Sequence, residues 1–198
     1  MPKQDASKPE FWETRFREKF TPWDAGGVPA LLGRFLRQEP PGLRVLVPGC
    51  GSGYEVRAFA EAGHDVLGVD FAPAAVDRAR EVLGPLSGRV RIADFFDAEL
   101  GAPFDLVYER AFLCSLPRAL RSRYAERTRK LLAPEGRIAG FFFFEEGERG
   151  PPFGLRPGEL ESLFDGRFER VVDMAVADSI PIFAGKERWQ VWKAGGRA

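Results

Sequence analysis

Val45-Leu46-Val47-Pro48-Gly49-Cys50-Gly51-Ser52-Gly53 is the stretch on which the fold turns. Arg44–Val47 is a short apolar run of strand length. From Tyr54 to about Ala62, Val56, Phe59 and Ala60 return on one helical face. The glycines between strand and helix let the backbone turn sharply and approach a ligand closely.

The same alternation continues outward. Asp65–Val69 reads as a second strand ending at Asp70. Ala72, Ala75, Val76, Ala79, Val82 and Leu83 keep helical spacing, with Pro73 near the start where a missing N–H matters little. Val90–Ala93, Asp105–Tyr108 and Arg137–Phe144 are further strands, and a helix over about Leu120–Leu132 ends at Pro134-Glu135-Gly136. Near-continuous apolar strands between amphipathic helices imply a parallel sheet covered on both faces. Arg167–Val176 and Glu187–Lys193 are strands joined by a turn-rich link too short for a crossover helix, so they must be antiparallel. The expected fold is α/β, a Rossmann-like doubly wound, mostly parallel seven-stranded sheet with an antiparallel last strand. Ligands belong at the carboxyl ends of its strands.

Upstream, Phe11, Trp12, Phe16, Phe20, Leu31, Leu32, Phe35 and Leu36 have helical spacings interrupted by Thr21 to Gly27. Residues 1–10 read as a loose tail. One domain over 1–198 is expected, with 11–42 as an aromatic helical cap and 43–198 as the core.

Composition excludes several classes. Lys+Arg and Asp+Glu both number 29, so no global field draws the chain to nucleic acid or an anionic membrane. The arginines from Arg118 to Lys130 alternate with Leu120, Tyr124 and Leu131 and read as a solvated helix face. Cys50 and Cys114 form no C-x-x-C pair, which points to a reducing compartment and no metal site. Met1–Glu10 lacks a signal-peptide core, and no run approaches the ~18 apolar residues of a membrane helix. A cytoplasmic monomer acting on a small molecule is expected.

Three strand ends converge on a cofactor. The glycine turn is the first. Asp70, about twenty residues on, stands where an acid holds both ribose hydroxyls of an adenosine group. Asp94-Phe95-Phe96 follows the third strand, where an acid accepts from an adenine amino group and Phe95 packs on the ring. The dinucleotide fingerprint needs glycine where this chain has Tyr54, so the spacing suits an adenosine cofactor without a pyrophosphate. A nicotinamide-dependent oxidoreductase and a non-catalytic cofactor-binding regulator are the alternatives.

From Phe11 to Trp192 the chain resembles the thiopurine S-methyltransferase family, which includes tellurite and plant halide/thiocyanate methyltransferases. The resemblance is carried by Trp12-Glu13-x-x-Phe16 with Thr21-Pro22-Trp23-Asp24, by Val47 to Val56, by Gly63 to Asp70, and by Asp105-Leu106-Val107-Tyr108-Glu109-Arg110. It implies S-adenosylmethionine as cofactor and a small soft acceptor: a thiol or thiopurine, a halide, hydrosulfide, or a selenium or tellurium oxyanion. By position, Trp12, Phe16 and Trp23 would cover the cofactor, a sensible placement for a sulfonium beside aromatic faces. Plant halide enzymes have tryptophan at Phe16 and tyrosine at Arg110; thiopurine enzymes share the arginine. Gly49, Gly51, Asp70, Asp94, Phe95 and Glu109 complete the expected cofactor set, and Arg110 is the expected catalytic contact to the acceptor. The stretch Gly147–Gly154 is expected to border that acceptor. A soft nucleophile needs no strong base, and the single histidine, His64, lies in a helix-to-strand link where packing is its expected role.

Overall fold

The structure, a computed structural model, describes residues 5–101 and 103–195. Seven strands form one sheet: β1 (Arg44–Pro48), β2 (Asp65–Asp70), β3 (Val90–Ile92), β4 (Phe104–Arg110), β5 (Leu132–Phe143), β6 (Phe168–Ala175) and β7 (Glu187–Ala194). Their order is β3-β2-β1-β4-β5-β7-β6. β1 to β5 are mutually parallel, whereas β7 runs antiparallel between β5 and β6. The order reverses between β1 and β4, and that crevice is where ligands of open α/β sheets bind.

The helices are α1 (Pro9–Arg17), α2 (Ala30–Gln38), α3 (Tyr54–Glu61), α4 (Pro73–Leu83), α5 (Arg121–Leu131) and α6 (Glu159–Phe164). The sheet separates two apolar layers. Val45, Val47, Val56, Phe59, Leu106 and Tyr108 fill one face, and Leu46, Val107, Tyr124, Ile138 and Phe164 fill the other. This is the alternation that strands covered on both sides impose. No helix among the described residues is long and apolar enough to cross a membrane.

Four local expectations are corrected. β5 begins at Leu132, because Leu132 pairs with Phe104 before the register shifts to Leu106↔Arg137; Pro134-Glu135-Gly136 is absorbed within that irregularity. β3 stops at Ile92, one residue short, because Ile92 is its last residue paired to β2. The short helix α6 was not foreseen; it buries Leu160 and Phe164 under the sheet. The expected tail is partly ordered: Pro9 opens α1, Ala6 is buried, and the Trp12 indole N–H donates to the Ala6 carbonyl at 2.8 Å. Residues 1–4 of that tail lie outside the described residues.

Candidate active site at the strand carboxyl ends

A cavity of about 340 Å³ opens at the carboxyl ends of β1, β2 and β4. Its floor is the glycine turn. Gly49 and Gly51 are left-handed (φ +58° and +50°), a conformation that a side chain at either position would strain. The turn is tied to the sheet by Cys50 N–H donating to the Val69 carbonyl at 3.0 Å.

Asp70 ends β2 against that floor and is 8% exposed. One carboxylate oxygen accepts from Ala72 N–H at 3.0 Å and the other from Gly51 N–H at 3.2 Å. Burial pushes its pKa up to about 6, against the pull of these backbone donors. Each oxygen keeps accepting capacity toward the cavity it lines, which suits a vicinal diol. Asp94 also lines the cavity, with Phe96 N–H donating to it at 2.7 Å, and Phe95 beside it is buried against Phe112, ring centroids 5.2 Å apart.

The cap forms the opposite wall. Trp12, Phe16 and Trp23 meet edge to face: Trp12–Trp23 at 5.3 Å and Phe16–Trp23 at 6.1 Å. All three line the cavity. Phe16 reaches the floor, since a Cβ at Gly51 would lie 3.5 Å from its ring. Two acids bolt the cap to the core. Glu13 accepts Ala74 N–H at the start of α4 at 2.7 Å, and Asp24 accepts the Ser52 hydroxyl of the glycine turn. Neither acid was singled out in the sequence, although both lie within the N-terminal aromatic motif.

Glu109 was expected against the cofactor, but it does not line the cavity. Its buried carboxylate accepts Phe112 N–H at 3.0 Å, Leu113 N–H at 2.8 Å and the Tyr124 hydroxyl at 2.9 Å. These bonds hold the turn after β4, in which Ala111 is left-handed (φ 58°), a conformation disfavoured for a residue with a Cβ. Burial lifts the Glu109 pKa to about 7. β5 passes very close here: a Cβ at Gly140 would sit 1.9 Å from the Glu109 carbonyl oxygen. Glu109 therefore shapes the turn that follows Arg110 and carries Phe112.

Arg110 does line the cavity. Its ion-pair partner is Glu55 on α3, Nε to Oε1 at 3.5 Å, and its Nη1 is buried without a hydrogen-bond partner. Beyond it, Pro151, Pro152, Ile182 and Phe183 close the far side. The 147–154 loop thus borders the cavity as expected; the 178–185 link was not foreseen there. The apolar run Ile180-Pro181-Ile182-Phe183 within that turn-rich link was its signal.

The arginine-rich segment also departs from a solvated face. Arg121 is buried, donating to the Phe153 carbonyl at 2.6 Å and pairing with Glu159. Arg118 donates to the carbonyls of Gly147 at 2.8 Å and Gly154 at 2.9 Å. Arg127 donates to the Phe95 carbonyl at 3.1 Å. Loops that return from elsewhere cover this side of α5, and their carbonyls need donors. His64 is buried edge-on to Phe59 at 5.8 Å and is not part of the cavity.

Four acids, Asp24, Glu55, Asp70 and Asp94, and two arginines, Arg15 and Arg110, line the cavity. That balance suits a ligand carrying net positive charge. The aromatic wall suits a sulfonium, and Asp70 suits a ribose, so the residues fit S-adenosylmethionine.

The same fold is found in 1,6-didemethyltoxoflavin-N1-methyltransferase of Burkholderia thailandensis, which matches 94% of this chain and 86% of that chain with a TM-score of 0.75 at 20% identity. Sheet order and crevice together define a class I, Rossmann-like methyltransferase fold. The family model for thiopurine S-methyltransferase matches residues 7–195. The thiopurine S-methyltransferase of Stutzerimonas stutzeri (strain A1501) is 37% identical over 181 residues, 80% of this chain and 76% of that protein. Probable thiol methyltransferase 2 of Arabidopsis thaliana is 32% identical over 158 residues, 77% of this chain and 70% of that protein. The chain belongs to the thiopurine S-methyltransferase family and is an S-adenosylmethionine-dependent methyltransferase. The nicotinamide alternative falls with that assignment.

Proposed function

We propose that this methyltransferase alkylates a small soft nucleophile, a thiol or thiopurine in the first instance, in the half of the cavity between Arg110 and Phe183. The observation that carries this reading is the placement of Arg110, a cation on the wall of that cavity, 11% exposed and paired through Nε with Glu55 at 3.5 Å. A guanidinium held at a cavity wall offers directional donors and positive charge to an acceptor heteroatom or thiolate. The names of the thiol and thiopurine relatives support the same class.

When bound, S-adenosylmethionine supplies an electrophilic methyl group on a sulfonium. Asp70 accepts the ribose hydroxyls, Asp94 and Phe95 receive the adenine, and Gly49 and Gly51 let the backbone close on the cofactor. Trp12, Phe16 and Trp23 exclude water above it. Arg110 orients the acceptor for in-line attack. Rate then rests on alignment and desolvation. A thiolate already carries its electron pair, so a general base is unnecessary. Neither cysteine competes as a nucleophile, because burial pushes both thiols well above the usual range.

The cap and core act as one catalytic unit, which we read as a cytoplasmic monomer with a small-molecule acceptor and no nucleic-acid partner. The equal numbers of basic and acidic residues support that reading. A panel of thiophenols, thiopurines, hydrosulfide, iodide, thiocyanate, selenite and tellurite, followed by adenosylhomocysteine release, tests the acceptor. Turnover of at least one thiol is expected, falling on the order of 10- to 100-fold in Arg110→Ala with adenosylhomocysteine affinity nearly unchanged. Silence on every thiol overturns the reading.

A further inference from the structure

S-Adenosylmethionine joins adenine, ribose, sulfur and an amino acid in that order, and the strand ends stand in the order β3, β2, β1. With adenine at Asp94 after β3 and ribose at Asp70 after β2, the amino-acid end falls over the glycine turn after β1. Its α-ammonium needs an anion once the aromatic cap shields it from water. The turn itself provides none. Pro48-Gly49-Cys50-Gly51-Ser52-Gly53 carries no acidic side chain, and burial pushes the Cys50 thiol well above its usual range.

The anion must therefore reach the turn from another element. Of the four acids that line the cavity among the described residues, Asp70 and Asp94 belong to the adenosine half. Glu55 is engaged by Arg110. Asp24, from the cap, is the acid that touches the glycine turn, where its Oδ2 accepts the buried Ser52 hydroxyl. Its Oδ1 accepts Gly26 N–H at 2.8 Å. A carboxylate has about four acceptor positions, so each oxygen keeps one for a further donor. Ser52 and Gly26 thus fix the orientation of a carboxylate on the cavity wall, as a preorganised cation contact requires.

We propose that Asp24 accepts the α-ammonium of the cofactor, so that the cap reads the amino-acid end while the sheet reads the adenosine. This rests on the placement of adenine and ribose at Asp94 and Asp70. The competing explanation is that Asp24 only latches the cap to Ser52. A latch alone would weaken every adenosine ligand alike when cut.

The experiment compares adenosylhomocysteine with its deamino analogue, which keeps the carboxylate and lacks only the amino group, by titration calorimetry. Asp24→Asn keeps an oxygen for Gly26 N–H and removes the charge. It is expected to bind adenosylhomocysteine on the order of tenfold more weakly, with affinity for the deamino analogue held within about twofold. Ser52→Ala cuts the latch but leaves the carboxylate, and should shift the two ligands equally. Equal losses for both ligands in Asp24→Asn, or no loss for either, overturn the proposal. Should Asp24→Asn fail to fold, Asp24→Ser must show the same selective loss. The wild-type protein also decides against it if both ligands bind equally well. Asp70→Ala should weaken both ligands alike. If it weakens neither, the adenosine placement fails, whereas the selectivity measured at Asp24 reports on the ammonium alone.

Discussion

On the side of the cavity proposed for the cofactor, polar side chains are held by backbone N–H groups at the ends of adjacent strands: Asp70 by Ala72 and Gly51, Asp94 by Phe96. On the side proposed for the acceptor, the wall is assembled from loops far apart in the chain. The 147–154 loop is carried by Arg118 and Arg121, which reach its carbonyls across about thirty residues, and Phe153 N–H donates to the Cys114 carbonyl at 2.6 Å. The first construction follows from short, local geometry that every glycine-turn strand end repeats. The second depends on a partly buried charge network, with Glu159 pairing both arginines. The two sides should therefore fail differently: the cofactor wall by losing one ligand, the acceptor wall by collapsing as a unit.

The largest separation is expected from Asp70→Ala. Two charge-assisted hydrogen bonds to a ribose are worth about 3 kcal/mol together, so adenosylhomocysteine affinity should drop on the order of 100-fold in calorimetry. Unchanged affinity would remove Asp70 from the cofactor wall.

Arg121→Met strikes the other side. It leaves the Phe153 carbonyl without its arginine donor and Glu159 without a buried partner, and should lower stability by about 2 kcal/mol in urea denaturation. Acceptor KM should rise while adenosylhomocysteine affinity holds. If both affinities fall together, the two walls are not independent.

A pH titration comes next. Asp70 titrates at about 6 in the free protein, above its ordinary value of 3.8, and its charged form is the one that accepts hydroxyl donors. Cofactor affinity should be level above pH 6 and fall about tenfold per unit below it. The sign for folding is opposite. Because the folded state raises this pKa, it holds the proton more tightly than the unfolded chain. Asp70's contribution to stability therefore declines as pH rises from about 3.8 to 6. A flat affinity profile would show that the ionised carboxylate is not used.

The smallest effect belongs to Phe16→Leu, which keeps apolar cover over Gly51 but removes the ring face. A loss of roughly threefold in S-adenosylmethionine affinity is expected, with a smaller loss for the neutral thioether of adenosylhomocysteine. Equal losses for the two would show that Phe16 acts by packing alone.

Legibility followed the same division. That Asp70, Asp94, Gly49 and Gly51 reach the cavity wall could be read from spacing because each sits at or just past the end of an apolar strand, where the chain's own period fixes its position. Glu109 was misplaced because strand position tells where a carboxylate starts, not which donors it meets; three donors from the turn and from α5 claimed it. Arg121 and Arg127 were read as solvated for a related reason. Helical periodicity assigns a face, but it says nothing of loops that arrive over that face with unpaired carbonyls.

By itself the sequence determined the doubly wound sheet, the antiparallel end, the glycine turn and the acid that follows it. Through the aromatic N-terminal motif it also determined the family. Local periodicity and short spacings suffice for these. Only the tertiary structure decided that Glu55 partners Arg110, that Glu13 and Asp24 bolt the cap to the core, and that Arg118 and Arg121 carry the 147–154 loop. Each of those is a contact of a charged side chain with a group distant in the chain, and no local propensity encodes which opposite charge, backbone N–H, hydroxyl or unpaired carbonyl it will meet.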